Sequence, residues 1–128
     1  MADQKKRIIC IEDDQGIIDL IKLILTRRGF EVIGALGGRE ALDMMERSAP
    51  DLVLLDLMMP DMDGWEVYHQ MKARDGMKNI PVIVVTAKAQ NIDKVLGIHI
   101  AKVDDYITKP FSPQDLLDSI ERVLNRRP

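Results

Sequence analysis

Three short runs of uninterrupted apolar residues constrain the fold of this chain more than any other feature. They read IICI (Ile8–Ile11), LVLL (Leu52–Leu55) and VIVV (Val82–Val85). Strands with one face in water alternate polar and apolar residues, whereas runs of this kind are typical of strands covered on both faces, as in a parallel sheet. With two weaker runs they give five predicted strands: Arg7–Glu12, Glu31–Gly34, Asp51–Asp56, Pro81–Thr86 and Asp105–Thr108.

Segments whose apolar residues have a helical period separate these strands and follow the last one. Gly29 is the predicted C′ residue of the first helix, and Ser112 caps the last, with Pro113 in the first helical position. Strands and helices that alternate through short connections predict an α/β fold, (βα)5, with a doubly wound five-stranded parallel sheet. The apolar stripes are Ile17, Ile21, Ile24 and Leu25; Ala41, Leu42 and Met45; Trp65, Val67, Tyr68 and Met71; Ile92, Val95 and Leu96; and Leu116, Leu117, Ile120, Val123 and Leu124.

Length and composition predict one domain over residues 1–128, with 1–6 as an N-terminal extension and 126–128 as the C-terminal end or the start of a linker. The net charge of −3 gives no general attraction to nucleic acid. No apolar run approaches the roughly 20 residues of a membrane span, and no signal peptide is predicted. The single cysteine, Cys10, excludes an internal disulfide framework, so we expect a buried thiol and a reducing, cytoplasmic setting.

Polar residues follow the predicted strands at the edge where an open parallel sheet binds ligands. Clustered carboxylates repel one another, and a cation lowers that cost. Oxygen ligands without His or Cys favour Mg²⁺, which keeps waters and leaves positions for a phosphoryl group. Asp56 could then act as a nucleophile toward phosphorus. The residues at this edge are Glu12, Asp13, Asp14, Asp56, Thr86 and Lys109.

Each of these residues also has a simpler interpretation. Glu12, Asp13 and Asp14 could cap the helix that starts near Gln15, because acids stabilise helix N-termini. A single acid, a Thr or a Lys after a strand carries little information alone. The functional interpretation depends on all of them falling at carboxyl ends of strands one, three, four and five.

Four motifs in order make the chain resemble the response regulator receiver domains, the phospho-accepting half of two-component signalling, among them the chemotaxis regulators. They are IICIEDD (Ile8–Asp14), LVLLDLMMPDMDG (Leu52–Gly64), PVIVVTA (Pro81–Ala87) and DDYITKPF (Asp104–Phe111). The resemblance covers essentially the whole chain. It implies a flavodoxin-like fold with strand order 2-1-3-4-5.

The resemblance also implies a role for each residue of the site. Asp56 is the expected phospho-acceptor, and Mg²⁺ is held by Asp13, Asp56 and the backbone carbonyl of Met58, with Glu12 acting through water. Thr86 is the expected switch hydroxyl and Lys109 the partner of the phosphate, followed by a cis bond to Pro110. Tyr106 is expected to turn inward as Thr86 moves. No organic cofactor is expected, and no enzyme activity beyond the domain's own phosphorylation and dephosphorylation.

The expected phosphodonor is a sensor histidine kinase or a phosphotransfer protein. Output to a further domain or a downstream protein, or a phosphorylation-dependent homodimer, would use the face of the fourth helix, fifth strand and fifth helix. The segment 98–106 (IHIAKVDDY) departs from the family, because it is about one residue longer and lacks the glycine of the usual Gly-Ala pair. Its apolar residues 98, 100 and 103 could be core or part of a docking patch.

Two further alternatives belong to other classes. A Mg²⁺-dependent phosphatase with an aspartyl phosphate intermediate would need a second acid two residues after Asp56, where this chain has Met58. A cofactor binder would need a phosphate loop after the first strand, where this chain has acids. The residues that tune phosphoryl lifetime in the family correspond to Met58 and Lys88, and Met58 predicts slow self-dephosphorylation.

Overall fold

The computed structural model describes residues 5–87 and 103–126, and it contains a five-stranded parallel sheet in the order β2-β1-β3-β4-β5. The strand order and the predicted strands are thereby confirmed, and no strand end differs from its predicted position by more than one residue. From β1 the chain first adds β2 on one side of the sheet and then β3, β4 and β5 on the other side. The order of the strands therefore reverses between β1 and β3, and their carboxyl ends form the switch point of the sheet. The strands are β1 (Arg7–Ile11), β2 (Glu31–Ala35), β3 (Leu52–Leu55), β4 (Val82–Ala87) and β5 (Asp105–Lys109).

Helices cover both faces of this sheet. They are α1 (Gln15–Thr26), α2 (Gly38–Ser48), α3 (Gly64–Lys72) and the C-terminal helix (Pro113–Arg126). The fourth predicted helix, around residues 92–96, lies outside the described residues. Within residues 5–87 and 103–126, no helix is both long enough and apolar enough to cross a bilayer.

The central strands supply side chains to two separate cores, one on each face. Ile9 and Ile11 pack on the face covered by α2 and α3, whereas Ile8 and Cys10 pack on the face covered by α1 and the C-terminal helix. All four residues are buried. Successive residues of a strand point to opposite faces, so a strand with apolar cover on both sides has no polar positions. This explains why IICI and LVLL read as continuous apolar runs.

The predicted helix ends are confirmed by their hydrogen bonds. The amide of Phe30 donates to the Leu25 carbonyl and that of Gly29 to the Thr26 carbonyl, with Gly29 at φ 89°. This pair of bonds is a Schellman motif with glycine at C′. At the C-terminal helix, the Ser112 hydroxyl accepts from the Asp115 amide at 3.0 Å. The local sequence therefore determines where both helices stop or start.

Three details of the predicted core can be compared with the structure. In α1 the buried residues are Ile18, Ile21 and Leu25. Ile21 and Leu25 belong to the predicted apolar stripe, whereas Ile18 is buried where the prediction had Ile17. Val103 is buried in the core, as one of the two alternatives for segment 98–106 expects, while residues 98 and 100 lie outside the described part of the chain. Cys10 is a free thiol and 2% exposed, as predicted.

Candidate functional site

The carboxyl ends of β1, β3 and β5 place four charged side chains together. Glu12 and Asp13 follow β1, Asp56 follows β3, and Lys109 ends β5. The ladder of the sheet continues one residue further at two of these ends, because the Asp56 amide donates to the Ile11 carbonyl at 3.0 Å and the Glu12 amide donates to Ala35 at 3.0 Å. These bonds fix the backbone beneath both carboxylates, so their positions are set by the sheet.

Three carboxylates form an acidic cluster at this edge. One oxygen from each of Glu12, Asp13 and Asp56 lies within 4.8 Å of the other two. Glu12 is 3% and Asp56 4% exposed, whereas Asp13 is exposed to solvent. The cluster therefore has two buried acids and one that water and ions can reach.

The ammonium group of Lys109 lies between the two buried acids. Its Nζ donates to Oε1 of Glu12 at 2.8 Å and to Oε2 at 2.9 Å, and it is 3.6 Å from Oδ2 of Asp56. Glu12 is therefore the main partner of Lys109 in this structure. One ammonium among three carboxylates leaves a surplus of negative charge.

Burial and mutual repulsion perturb the pKa values of this group. The pKa of Glu12 is raised from 4.5 to about 7, first by burial and then by the neighbouring Asp56 carboxylate. Burial disfavours the Lys109 ammonium, but the hydrogen bond to Glu12 and the charge of Asp56 outweigh it, so the pKa of Lys109 is raised. The cluster resists full ionisation without further positive charge.

The loop after β3 is held close to Asp56. The amide of Met58 donates to Oδ1 of Asp56 at 3.1 Å, while the Met58 side chain is 66% exposed. The amide of Gly64, the first residue of α3, donates to the Leu57 carbonyl at 3.1 Å. A β-carbon at Gly64 would lie 2.5 Å from the Asp56 carbonyl oxygen and 2.6 Å from the Leu57 α-carbon. Only glycine allows α3 to approach the loop after β3 this closely.

The donors of the acidic cluster fit a hard divalent cation. They are oxygen atoms of Glu12, Asp13 and Asp56, and no histidine or cysteine accompanies them within the described cluster. Mg²⁺ prefers such ligands and keeps several waters, which the exposed position of Asp13 allows. The surplus negative charge and the raised pKa of Glu12 provide an electrostatic reason to bind a cation.

The remaining predicted site residues lie on the neighbouring strands β4 and β5. Thr86 is in β4, where it pairs with Thr108 of β5, but its hydroxyl lies outside the described part of the structure. Tyr106 is in β5 and 43% exposed, so its ring faces outward. The predicted cis bond between Lys109 and Pro110 is present.

Two aspartates near the site bind helix ends. Oδ1 of Asp14 accepts from the amides of Gly16 and Ile17, so the simpler interpretation of this residue is correct and it caps α1. Asp61 accepts from the Gly38 amide at the start of α2. Sequence reasoning missed the second contact, although a glycine at the N-cap position, Gly37, signals a helix without its own capping side chain.

The sequence of this chain is similar to those of known proteins. The profile of the family described as "Response regulator receiver domain" matches residues 8–121. The alkaline phosphatase synthesis transcriptional regulatory protein PhoP of Bacillus subtilis (strain 168) is 40% identical over 121 residues, which cover 94% of this chain and 49% of that protein. The sensory transduction protein RegX3 of Mycolicibacterium smegmatis is 42% identical over 119 residues, covering 93% and 50%. The chain thus spans about half the length of these relatives.

Solved structures show the same architecture. The response regulator receiver domain protein (CheY-like) of Methanospirillum hungatei JF-1 is 37% identical with a TM-score of 0.83, covering 96% of each chain. The chemotaxis protein CheY4 of Vibrio cholerae is 27% identical with a TM-score of 0.84, covering 94% of this chain and 99% of that one.

Proposed function

Because this chain belongs to the response regulator receiver domain family, a family of signalling domains, we propose that Asp56 accepts a phosphoryl group. One observation carries the assignment. Asp56 is a buried carboxylate at the switch point of the sheet, within 4.8 Å of two other carboxylates and 3.6 Å from an ammonium group. A carboxylate with only a structural role would not require two neighbouring carboxylates and a nearby ammonium group.

The residues that would hold Mg²⁺ are Asp13, Asp56, the backbone carbonyl of Met58 and, through water, Glu12. The ion would neutralise charge on the phosphoryl oxygens when bound. The support is the all-oxygen acidic cluster and its surplus of negative charge. The exposure of Asp13 gives the cation a route from solvent.

The chain's own groups then account for the transfer. An oxygen of Asp56 attacks the phosphorus of a phosphohistidine, and an aspartyl phosphate forms as the phosphorus–nitrogen bond breaks. The bonding pair remains on the imidazole nitrogen of the donor, which takes a proton from solvent. Lys109 is already 3.6 Å from Asp56 and pairs with the new phosphoryl oxygens, which requires it to give up part of its contact with Glu12.

The new negative charge is the input of a conformational switch. Thr86 follows the phosphoryl group and Tyr106 turns inward from its present exposed position. β5 and the C-terminal helix, with the predicted fourth helix, then shift toward a second conformation as a change in populations. This face is the proposed contact for an output domain, a downstream protein or a second copy in a phosphorylation-dependent homodimer.

The proposed phosphodonor is a sensor histidine kinase or a phosphotransfer protein, and the domain itself binds neither nucleic acid nor membrane. The free thiol of Cys10 supports a reducing, cytoplasmic setting. The assignment of residues 1–128 to one domain, with an extension at 1–6 and an end or linker at 126–128, stays a prediction. So does the restriction of its chemistry to its own phosphorylation and dephosphorylation.

Labelling with radioactive acetyl phosphate and Mg²⁺ tests the assignment. The wild-type protein should acquire one acyl-phosphate label, and Asp56→Asn should acquire none. Asp75→Asn is the matched control, because Asp75 is a fully exposed aspartate away from the site, and it should label as the wild type does. Undiminished labelling of Asp56→Asn would refute the proposal.

A further inference from the structure

The start of α2 is capped by a residue from another part of the chain. Gly37 occupies the N-cap position and offers no side chain to the free amides of the first turn. Instead, the carboxylate of Asp61 accepts from the Gly38 amide, at 3.1 Å through Oδ2 and 3.3 Å through Oδ1. Asp61 belongs to the loop between Asp56 and α3, so this contact joins that loop to a helix 23 residues earlier.

The glycine at position 37 makes room for the contact. Its backbone is extended, with φ −158° and ψ 169°, which any residue can adopt. A β-carbon there, however, would lie 2.6 Å from Oδ2 of Asp61. Space for the incoming carboxylate is therefore what distinguishes glycine from serine or asparagine at this N-cap.

The loop from Asp56 to Gly64 is held at both ends and in the middle. Met58 donates to the Asp56 side chain, and Gly64 donates to the Leu57 carbonyl. The side chains of Leu57 and Met59 are buried in the core. Asp61 adds a hydrogen bond from this loop to the amide of Gly38, at the start of α2.

We propose that Asp61 is a positioning residue for the phosphoryl site. By anchoring its loop on α2, Asp61 fixes the backbone three residues earlier in the chain. There the carbonyl of Met58 would face the cation. The inference rests on the proposed function, since it assumes that the cation binds at Met58. Residues that orient metal ligands without touching the metal change metal affinity by about 10–100-fold in known sites.

Four variants separate positioning from stability and from charge. Asp61→Ala removes the contact and the cap. Asp61→Asn removes the charge but keeps an oxygen that accepts from Gly38. Gly37→Ser displaces the carboxylate with its β-carbon while supplying its own capping hydroxyl. Ser48→Ala is the matched control, because it removes a 2.7 Å hydrogen bond from the far end of α2.

Each protein is titrated with Mg²⁺ in a calorimeter, and its melting temperature is measured without metal. Asp61→Ala and Gly37→Ser should weaken Mg²⁺ binding by roughly tenfold, whereas Asp61→Asn and Ser48→Ala should stay within about twofold of the wild type. Asp61→Ala should melt about 4 °C lower. Gly37→Ser should not, which separates affinity from stability.

Wild-type affinity in Gly37→Ser would overturn the inference while leaving the proposed function intact. Equal weakening in Asp61→Asn and Asp61→Ala would also overturn it, because the charge of Asp61 would then act without the contact. Failure of the wild-type protein to bind Mg²⁺ would refute the proposed metal site and the inference with it.

Discussion

At Lys109, burial and charge act in opposite directions on a single side chain. The side chain is 18% exposed, which disfavours an ammonium group, yet two buried carboxylates lie within 3.6 Å of it. The carboxylates prevail, since the pKa of Lys109 is raised. Without the lysine, Glu12 and Asp56 would be left as adjacent buried acids.

Lys109→Ala should therefore lower the free energy of unfolding of the metal-free protein by about 2 kcal/mol. This loss is smaller than the usual cost of removing one partner of a buried ion pair, because one of the two acids can take up a proton. Saturating Mg²⁺ should recover part of this loss. Urea unfolding with and without Mg²⁺ measures both effects. Lys78→Ala, which removes an exposed ion pair with Asp75, should change stability by less than about 0.5 kcal/mol. Equal effects in the two variants would contradict the assigned role.

Glu12 makes the stability of the metal-free protein depend on pH. Its pKa is about 7 in the folded protein against 4.5 ordinarily, so the folded state binds the proton more tightly. Stability is therefore lost as pH rises from about 4.5 to about 7 and is flat above that range. Urea unfolding in EDTA should show the wild type losing stability relative to Glu12→Gln across this window. Parallel curves for the two proteins would contradict the raised pKa.

Met58 would leave a phosphoryl group on Asp56 without a polar neighbour at that position. Its side chain is 66% exposed beside Asp56 and cannot orient a water molecule through hydrogen bonds. Met58→Asn should accelerate loss of phosphate from Asp56 by roughly tenfold, because an amide can position the attacking water. The decay of the labelled protein after removal of acetyl phosphate gives the rate. An unchanged rate would show that this position does not control the lifetime.

Among the elements, α3 depends on a close approach that a single methyl group would prevent. The atoms that a β-carbon at Gly64 would meet are backbone atoms of Asp56 and Leu57, which cannot turn aside as a side chain can. Gly64→Ala should cost about 1–3 kcal/mol of stability and reduce labelling of Asp56. Gly76→Ala is the matched control, since nothing lies within 4 Å of a β-carbon there, and it should be close to neutral. Denaturant unfolding and acetyl phosphate labelling test both variants.

Elements were predictable where their signals are local. The five strands, the C′ position of Gly29 and the cap at Ser112 follow from residues a few positions apart, and all are confirmed. The cap of α2 was not predictable in this way. Gly37 indicates that the helix lacks a capping side chain of its own, but Asp61 is 23 residues from Gly38 and local patterns do not identify it as the partner.

At the scale of the whole molecule, the topology explains why the acidic cluster could be anticipated from sequence. Parallel strands bring all their carboxyl ends to one edge, so Asp13, Asp56 and Lys109 had to lie near one another once the strands were assigned. The partner of Lys109 could not be inferred in the same way. β1 and β5 are separated by β3 and β4 in the sheet, and only side-chain conformations decide that the lysine reaches Glu12 before Asp56.

Cys10 provides a probe of the whole fold, because it is the single cysteine and sits in a central strand. It is 2% exposed, and burial together with the nearby Glu12 charge raises the pKa of its thiol to about 12. A thiol reagent should therefore label it only through global unfolding, at a rate that rises with urea as the unfolded fraction does. Mg²⁺ at about 100 times its dissociation constant stabilises a binding fold by about 2.7 kcal/mol, so labelling should slow by roughly 100-fold. Asp56→Asn removes a carboxylate from the proposed cation site and should show a smaller effect of Mg²⁺. Fast labelling that does not change with urea or Mg²⁺ would mean that β1 opens locally.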